Sequence, residues 1–162
     1  MAELTNLETK LGEVIGLAMA AQAATERVEK LTEDRQLKKQ LQTMRKEAEK
    51  AEKDGTAVAA TFDGKKGKIL QEARSVRTKG STMMKAYLER GSDELDGFEF
   101  LTMAEAGEVG HWAVLEMLNK QTKHPGVREL VKTHLPIQKR HFKDVNAASL
   151  QLAAKEDANA AA

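Results

Sequence analysis

The sequence predicts an all-α fold, on three observations. The composition is that of long helices: of 162 residues, 41% are hydrophobic and 31% charged, only 4% are aromatic, and Ala, Leu, Glu and Lys abound. Apolar residues recur at three- and four-residue spacings over four long stretches, the pattern of helices turning one face into a core. The stretches form two pairs, each joined by a short turn, with one long connection between the pairs. Short turns imply antiparallel neighbours, and the long connection supplies a crossover. The length suits one domain, read as residues 1–154 with a frayed tail over 155–162.

The first helix is expected from about Glu3 to Leu31. Leu4, Leu7, Leu11, Val14, Ala18, Ala21, Gln22, Thr25 and Val28 share its inner face. Gly12, Gly16 and the alanines from Ala18 to Ala24 would let another helix come close, and this small-residue face is expected to pair two copies of the chain into a dimer. Glu13 lies off the apolar face and reads as a solvated charge. A turn at Thr32–Asp34 leads to the second helix, about Arg35–Lys53. Its stripe is Leu37, Leu41, Met44, Ala48 and Ala51, with Glu47 at the edge.

Gly55 to Lys68, with three glycines, reads as a loop. A shorter helix follows, about Ile69–Glu89, with a break near Gly80-Ser81. Between Lys65 and Lys85, seven Lys and Arg side chains face one acid, Glu72. Such a run either balances acid elsewhere on the surface or docks an acidic partner. Ser92 is expected to cap the fourth helix, with Asp93 and Glu94 in its first turn. That helix runs to about Gln121. After a turn at Lys123–Gly126, with Pro125 suited to a first helical position, the fifth helix covers about Val127–Ala153. Val127, Val131, Gln138, Val145 and Leu152 make its stripe, flanked by Leu130, Phe142 and Ala148. Pro136 is expected to kink it just before Gln138 and to aim Gln138 and His141 at the fourth helix.

The candidate site lies on Phe98–Leu118. Leu101, Trp112 and Leu115 form an inner stripe that also takes in Glu105 and Glu108, with His111 at its flank as part of Glu108-x-x-His111. Carboxylates and an imidazole on a core-facing stripe are costly unless paired. A metal ion is one such partner; a hydrogen-bonded polar network is the other. The fifth helix is interrupted in the same way by His134, Gln138 and His141. Glu108 and His141 stand at matched distances from the turn between these helices, as do His111 and Gln138. The turn between the first two helices puts Ala18 level with Glu47.

Other chemistries find little support. The chain has no cysteine, so it has neither disulfides nor thiolate metal ligands. A net charge of +1 gives no general case for nucleic acid. No stretch is long and apolar enough for a membrane span. Met1–Leu11 lacks the features of a signal peptide, so a cytoplasmic location is expected. No Gly-x-Ser-x-Gly turn is present.

The order of elements resembles the ferritin-like superfamily, and within it the YciF-like stress proteins. An antiparallel helix pair leads through Phe62-Asp63-Gly64-Lys65-Lys66-Gly67 and a short helix containing Glu72. A second pair follows, carrying Glu105-x-x-Glu108 and Gln138-x-x-His141. The similarity spans about Leu7 to Leu152 and is best over residues 62–72 and Asp96–Leu115. It implies a ferritin-like antiparallel four-helix bundle with an additional short helix in the crossover, and a stress-associated, metal-binding function with iron or zinc in a carboxylate-rich core site. Glu47, Glu105 and Glu108 fall on site positions, and His141 is an acceptable ligand at its own. The chain also departs from the pattern: the family's first-helix glutamate falls on Ala18, its second-helix histidine on Met44, and a last-helix glutamate on Gln138. A full di-iron site uses about four carboxylates and two histidines. Glu47, Glu105 and Glu108 with His111 and His141 fall one carboxylate short, which leaves two readings. Either one metal ion binds among Glu108, His141, Glu105, His111, Glu47 and Gln138, or the chain is a metal-free structural or interaction protein with a polar core.

Overall fold

Helices begin where a side chain can satisfy the free amides of a first turn, and four of the five here do so. The structure, a computed structural model, describes residues 3–161; Met1, Ala2 and Ala162, at the ends of the expected domain and tail, lie outside the described residues. Thr5 and Glu8 form a reciprocal capping box at the start of α1 (Asn6–Leu31). Asp34 accepts from the amides of Gln36 and Leu37 at α2 (Arg35–Ala59). The cap of α4 (Glu94–Thr122) is Asp93, boxed with Asp96, one residue after the expected Ser92. At α5 (Pro125–Ala153), Pro125 sits in the first turn and His124 Nδ1 accepts from the Val127 amide at 3.3 Å. Only α3 (Lys66–Tyr87) starts without a side-chain cap. There is no strand among the described residues, and no helix is long and apolar enough to cross a membrane.

Two helices are longer than the sequence suggested, for one reason. Gly55 is not in a loop: α2 runs on to Ala59, and Gly55 is buried where a Cβ would sit 2.7 Å from Ile15 Cγ1. Likewise α3 passes unbroken through Gly80, where a Cβ would meet the Ala20 Cβ at 2.7 Å. A glycine costs a helix about 1 kcal/mol relative to Ala, but here it is the residue that lets a neighbour approach. The glycines that read as helix breaks are close packing points, and the connection between α2 and α3 shrinks to residues 60–65.

Helix α1 packs against α2, α3 and α4; α5 packs against α4 and α2; α1 and α5, and α2 and α4, lie diagonally across the core without close backbone approach. Cross-helix partners fix directions. Glu13 meets His111, and Gly97 faces Val28, so α1 and α4 are antiparallel. Asp54 meets His134 and Glu47 meets His141, so α2 and α5 are antiparallel too. Gly12 faces Ile69 and Gly16 faces Ala73, so α3 runs parallel to α1. It carries the chain back along the molecule, and α2 and α4 therefore point the same way. Pro136 lies inside α5 on its exposed side, and the helix continues to Ala153.

The small-residue face of α1 is spent within the chain. A Cβ on Gly12 would lie 2.7 Å from the Ile69 carbonyl oxygen, and one on Gly16 only 2.3 Å from that of Ala73. α3 covers the Gly12–Gly16 part of this face, which is therefore not open to the second copy expected there. Lys65, the first cation of the basic run, is also committed inward: its Nζ donates to Glu8 at 2.9 Å.

Two apolar clusters divide the interior. One joins Leu7, Leu11, Val14, Ile15, Trp112, Leu115 and Val131. The other joins Val28, Leu41, Met44, Phe98, Leu101 and Val145. Between them, at mid-height, lie the buried polar side chains of α4 and α5.

Candidate functional site

The site is built from α2, α4 and α5, with Ala18 of α1 beside it. On α4, Glu105 is 1% and Glu108 5% exposed; on α5, Gln138 and His141 are 7% and 4% exposed. They are held there because the helical repeat that buries Leu101, Trp112 and Leu115 carries Glu105 and Glu108 on the same face. Counted from Lys123, where a left-handed residue (φ 55°) ends α4, Glu105 lies eighteen residues before and His141 eighteen after. Glu105 rather than Glu108 is therefore the residue level with His141, one turn from the expected pairing. Asn119 fixes that level: its side chain donates to the His124 carbonyl at 3.1 Å and accepts from the His124 amide at 3.0 Å, closing the turn.

Gln138 Nε2 donates a short hydrogen bond to Glu105 Oε2. His141 Nδ1 is 3.8 Å from the same oxygen, and His141 Nε2 is 3.5 Å from Glu47 Oε1. Glu47 Oε1 and His141 Nε2 are both buried and neither has a hydrogen-bond partner among the described residues. The other Glu47 oxygen takes a short bond from Arg140. Glu108 receives no hydrogen bond from His111 or His141. It borders a small cavity of about 10 Å³ with Ala18, Glu47, Trp112, Gln138 and His141. That volume is close to the least that can hold one water-sized occupant.

His111 is not part of this group. It turns toward α1, 41% exposed, with Nδ1 3.1 Å from Glu13 Oε2 and 3.2 Å from Lys10 Nζ. Position 111 lies at the flank of the stripe, and the acid that the sequence reading treated as solvated, Glu13, waits across the α1–α4 boundary.

Burial sets the electrostatics. Desolvation raises the Glu105 pKa to about 8, against the opposing hydrogen bond from Gln138. Burial, with the neighbouring Glu105 charge, raises Glu108 well above the carboxylate range. Burial lowers the His141 pKa, partly offset by the Glu47 carboxylate beside it. Burial thus favours the protonated form of Glu105 and Glu108 and the neutral form of His141.

One functional-looking pair escaped the sequence reading. His134 Nε2, on a side chain 3% exposed, lies 2.9 Å from Asp54 Oδ2, and its ring stacks on Trp112 with centroids 5.7 Å apart. Although partial burial works against ionisation, hydrogen bonds from Lys50 and His134 hold the Asp54 carboxyl below its usual range. The sequence pattern ends the second helix at Lys53, one residue short of Asp54, and so gives no sign of this contact.

No protein-family model, curated protein or solved structure matches the chain. Among the described residues, no three His, Asp or Glu side chains stand at the mutual distances of a ready-made metal cluster.

Proposed function

We propose that this chain is a ferritin-like helical bundle whose core takes a single transition-metal ion, iron or zinc, between α2, α4 and α5. One observation carries the reading: Glu105 and Glu108 share an apolar interior, beside buried Glu47 Oε1 and His141 Nε2, which face each other at 3.5 Å without a well-formed hydrogen bond. Two buried carboxyls, a third carboxylate oxygen and an imidazole nitrogen loosely paired with it are the donor types that suit zinc or iron. A cation would let the carboxyls ionise and satisfy that oxygen and nitrogen. On the resemblance the residues fit one ion and not two, because Ala18 and Met44 stand where the family has a glutamate and a histidine. An ion would have to draw Glu47, Glu105, Glu108 and His141 together from their present spacing. The YciF-like resemblance extends this reading to a stress-associated role.

The competing reading, a metal-free structural protein, is favoured by the Gln138 bond to Glu105, which already satisfies one carboxyl. Metal analysis of protein purified without a chelating tag decides between them. On the metal reading, stoichiometric iron or zinc is found, and Glu108→Ala lowers both metal content and Tm, since a bound ion stabilises the folded state by mass action. Metal-free protein, with a Tm unmoved by chelator, would sink that reading.

We also propose that self-association uses α4 rather than α1. Met103, Val114 and Met117 are exposed along the outer side of α4, where Gly107 and Gly110 leave the surface open. Val114→Glu should then convert a sedimenting dimer into monomer; wild type that sediments as monomer at high concentration would remove the proposal.

A further inference from the structure

A second and larger cavity lies on the opposite side of the two α4 carboxyls from His141. It sits between α1, α3 and α4 and has a volume of about 200 Å³. Small residues make the room: alanines of α1, Gly80 of α3 and Gly107 of α4. The walls are otherwise apolar, with Leu17, Phe100 and Leu101 inside. Met83 and Met103 also line it and are 48% and 38% exposed. Three ionisable side chains reach it: Glu105, Glu108 and His111. Glu105 is bonded to Gln138, and His111 is held by Lys10 and Glu13. That leaves Glu108, 5% exposed, whose carboxyl receives no hydrogen bond or ion pair among the described residues. A largely buried carboxyl with no protein partner opens onto this space, and a partner bound there would offset its desolvation.

We propose that this cavity binds a small apolar amine, with the ammonium head on Glu108 and the body between α1, α3 and α4. Size supports this, because an apolar cavity of about 150 Å³ is enough for benzene. Chemistry selects the head group. A plain hydrocarbon would leave Glu108 unsatisfied, and an anion would find no Lys or Arg in the lining. An ammonium donates three N–H groups and carries the charge a carboxylate pairs with. The two methionines give an unbranched, adaptable lining that tolerates variation in the body. The site goes beyond the metal reading and does not need it; an ammonium and a metal ion on Glu108 exclude one another.

The test is the Tm of the full chain in chelator, titrated with benzylamine and separately with toluene, which has the same ring and no amine. The expected result is a saturable rise with benzylamine, with toluene binding about tenfold more weakly for want of a charge-assisted hydrogen bond. Glu108→Gln should weaken benzylamine by about the same factor. Ala104 of α4 also lines the cavity, and Ala104→Leu, which fills it and keeps the carboxyl, should abolish the rise. No saturable rise in wild type, equal binding of toluene, or undiminished binding in both variants would overturn the proposal. Metal analysis of the same preparations before chelation reports on the metal reading separately. Metal-free protein that binds benzylamine removes that reading alone, and metalloprotein that ignores benzylamine removes this one alone.

Discussion

At the scale of single residues, the buried carboxyls make a pH prediction with a definite sign. Glu105 and Glu108 have folded pKa values above the unfolded value of 4.5. As pH rises past 4.5 the unfolded chain releases these protons first, so their contribution to stability is complete at low pH and is lost up to about 8 for Glu105. His141 acts oppositely: its lowered folded pKa costs stability only as pH falls below 6.5. The carboxyl effect is therefore cleanest from pH 6.5 to about 8. Chelated wild-type protein should lose stability over that window, by roughly 2 kcal/mol from Glu105, with Glu108 acting in the same direction. Glu105→Gln should flatten the slope, and Glu108→Gln should raise stability at pH 8 by keeping the shape without a buried charge. A chelated wild type whose stability is level over this range would contradict the raised values. Bound metal would hold the carboxylates ionised and remove the slope.

These residues were legible from sequence because their type and position disagree: an acid on an apolar stripe announces itself. Glu105, Glu108, Gln138 and His141 were found that way and do lie together in the core. His111 was not placed correctly, because a flank residue can turn either way and the choice belongs to its neighbour. Glu13 and Lys10 on α1 decide it, and nothing in the spacing of α4 could say which helix would stand there.

At the scale of helices, glycines test the packing. Gly16→Ala should destabilise by about 1–3 kcal/mol, since the added methyl meets the Ala73 carbonyl oxygen at 2.3 Å and backbone cannot easily yield. Gly110→Ala, with nothing within 4 Å, should stabilise by roughly 0.5–1 kcal/mol through helix propensity alone. Denaturant midpoints moving the same way for both would contradict the close α1–α3 approach. Pro136→Ala restores an amide donor on an exposed helix side and should stabilise by up to about 3 kcal/mol. A lower midpoint instead would mean that the proline seats Gln138 and His141 against α4. Helix existence and direction were readable from periodicity and short turns. The ends of α2 and the continuity of α3 were not: glycine has the same local signature in a turn and at a tight helix crossing, and only the partner helix tells them apart.

At the scale of the whole molecule, α1 is the shared member, packed against α2, α3 and α4. α3 contributes little bulk in return. Of its residues only Ile69 and Ala73 are buried, both in its first half; from Arg74 to Tyr87 it is half-buried or exposed. Its C-terminal half rests on the close contact of Gly80 with Ala20, on Met84 against the second apolar cluster and on Tyr87 beside Phe100.

Close contact without buried area has a kinetic consequence. Opening α3 away from α1 uncovers far less apolar surface than separating α4 from α5, so the free energy of that local opening lies below that of global unfolding. Amide hydrogens of residues 74–87 should exchange with solvent deuterium much sooner than those of Leu101–Leu115, and with little sensitivity to low denaturant. Equal protection of the two segments would show that α3 opens only with the rest. On this account, the helix that walls the larger cavity is the one that most often lifts, and a molecule reaching Glu108 would pass beneath it without the core coming apart.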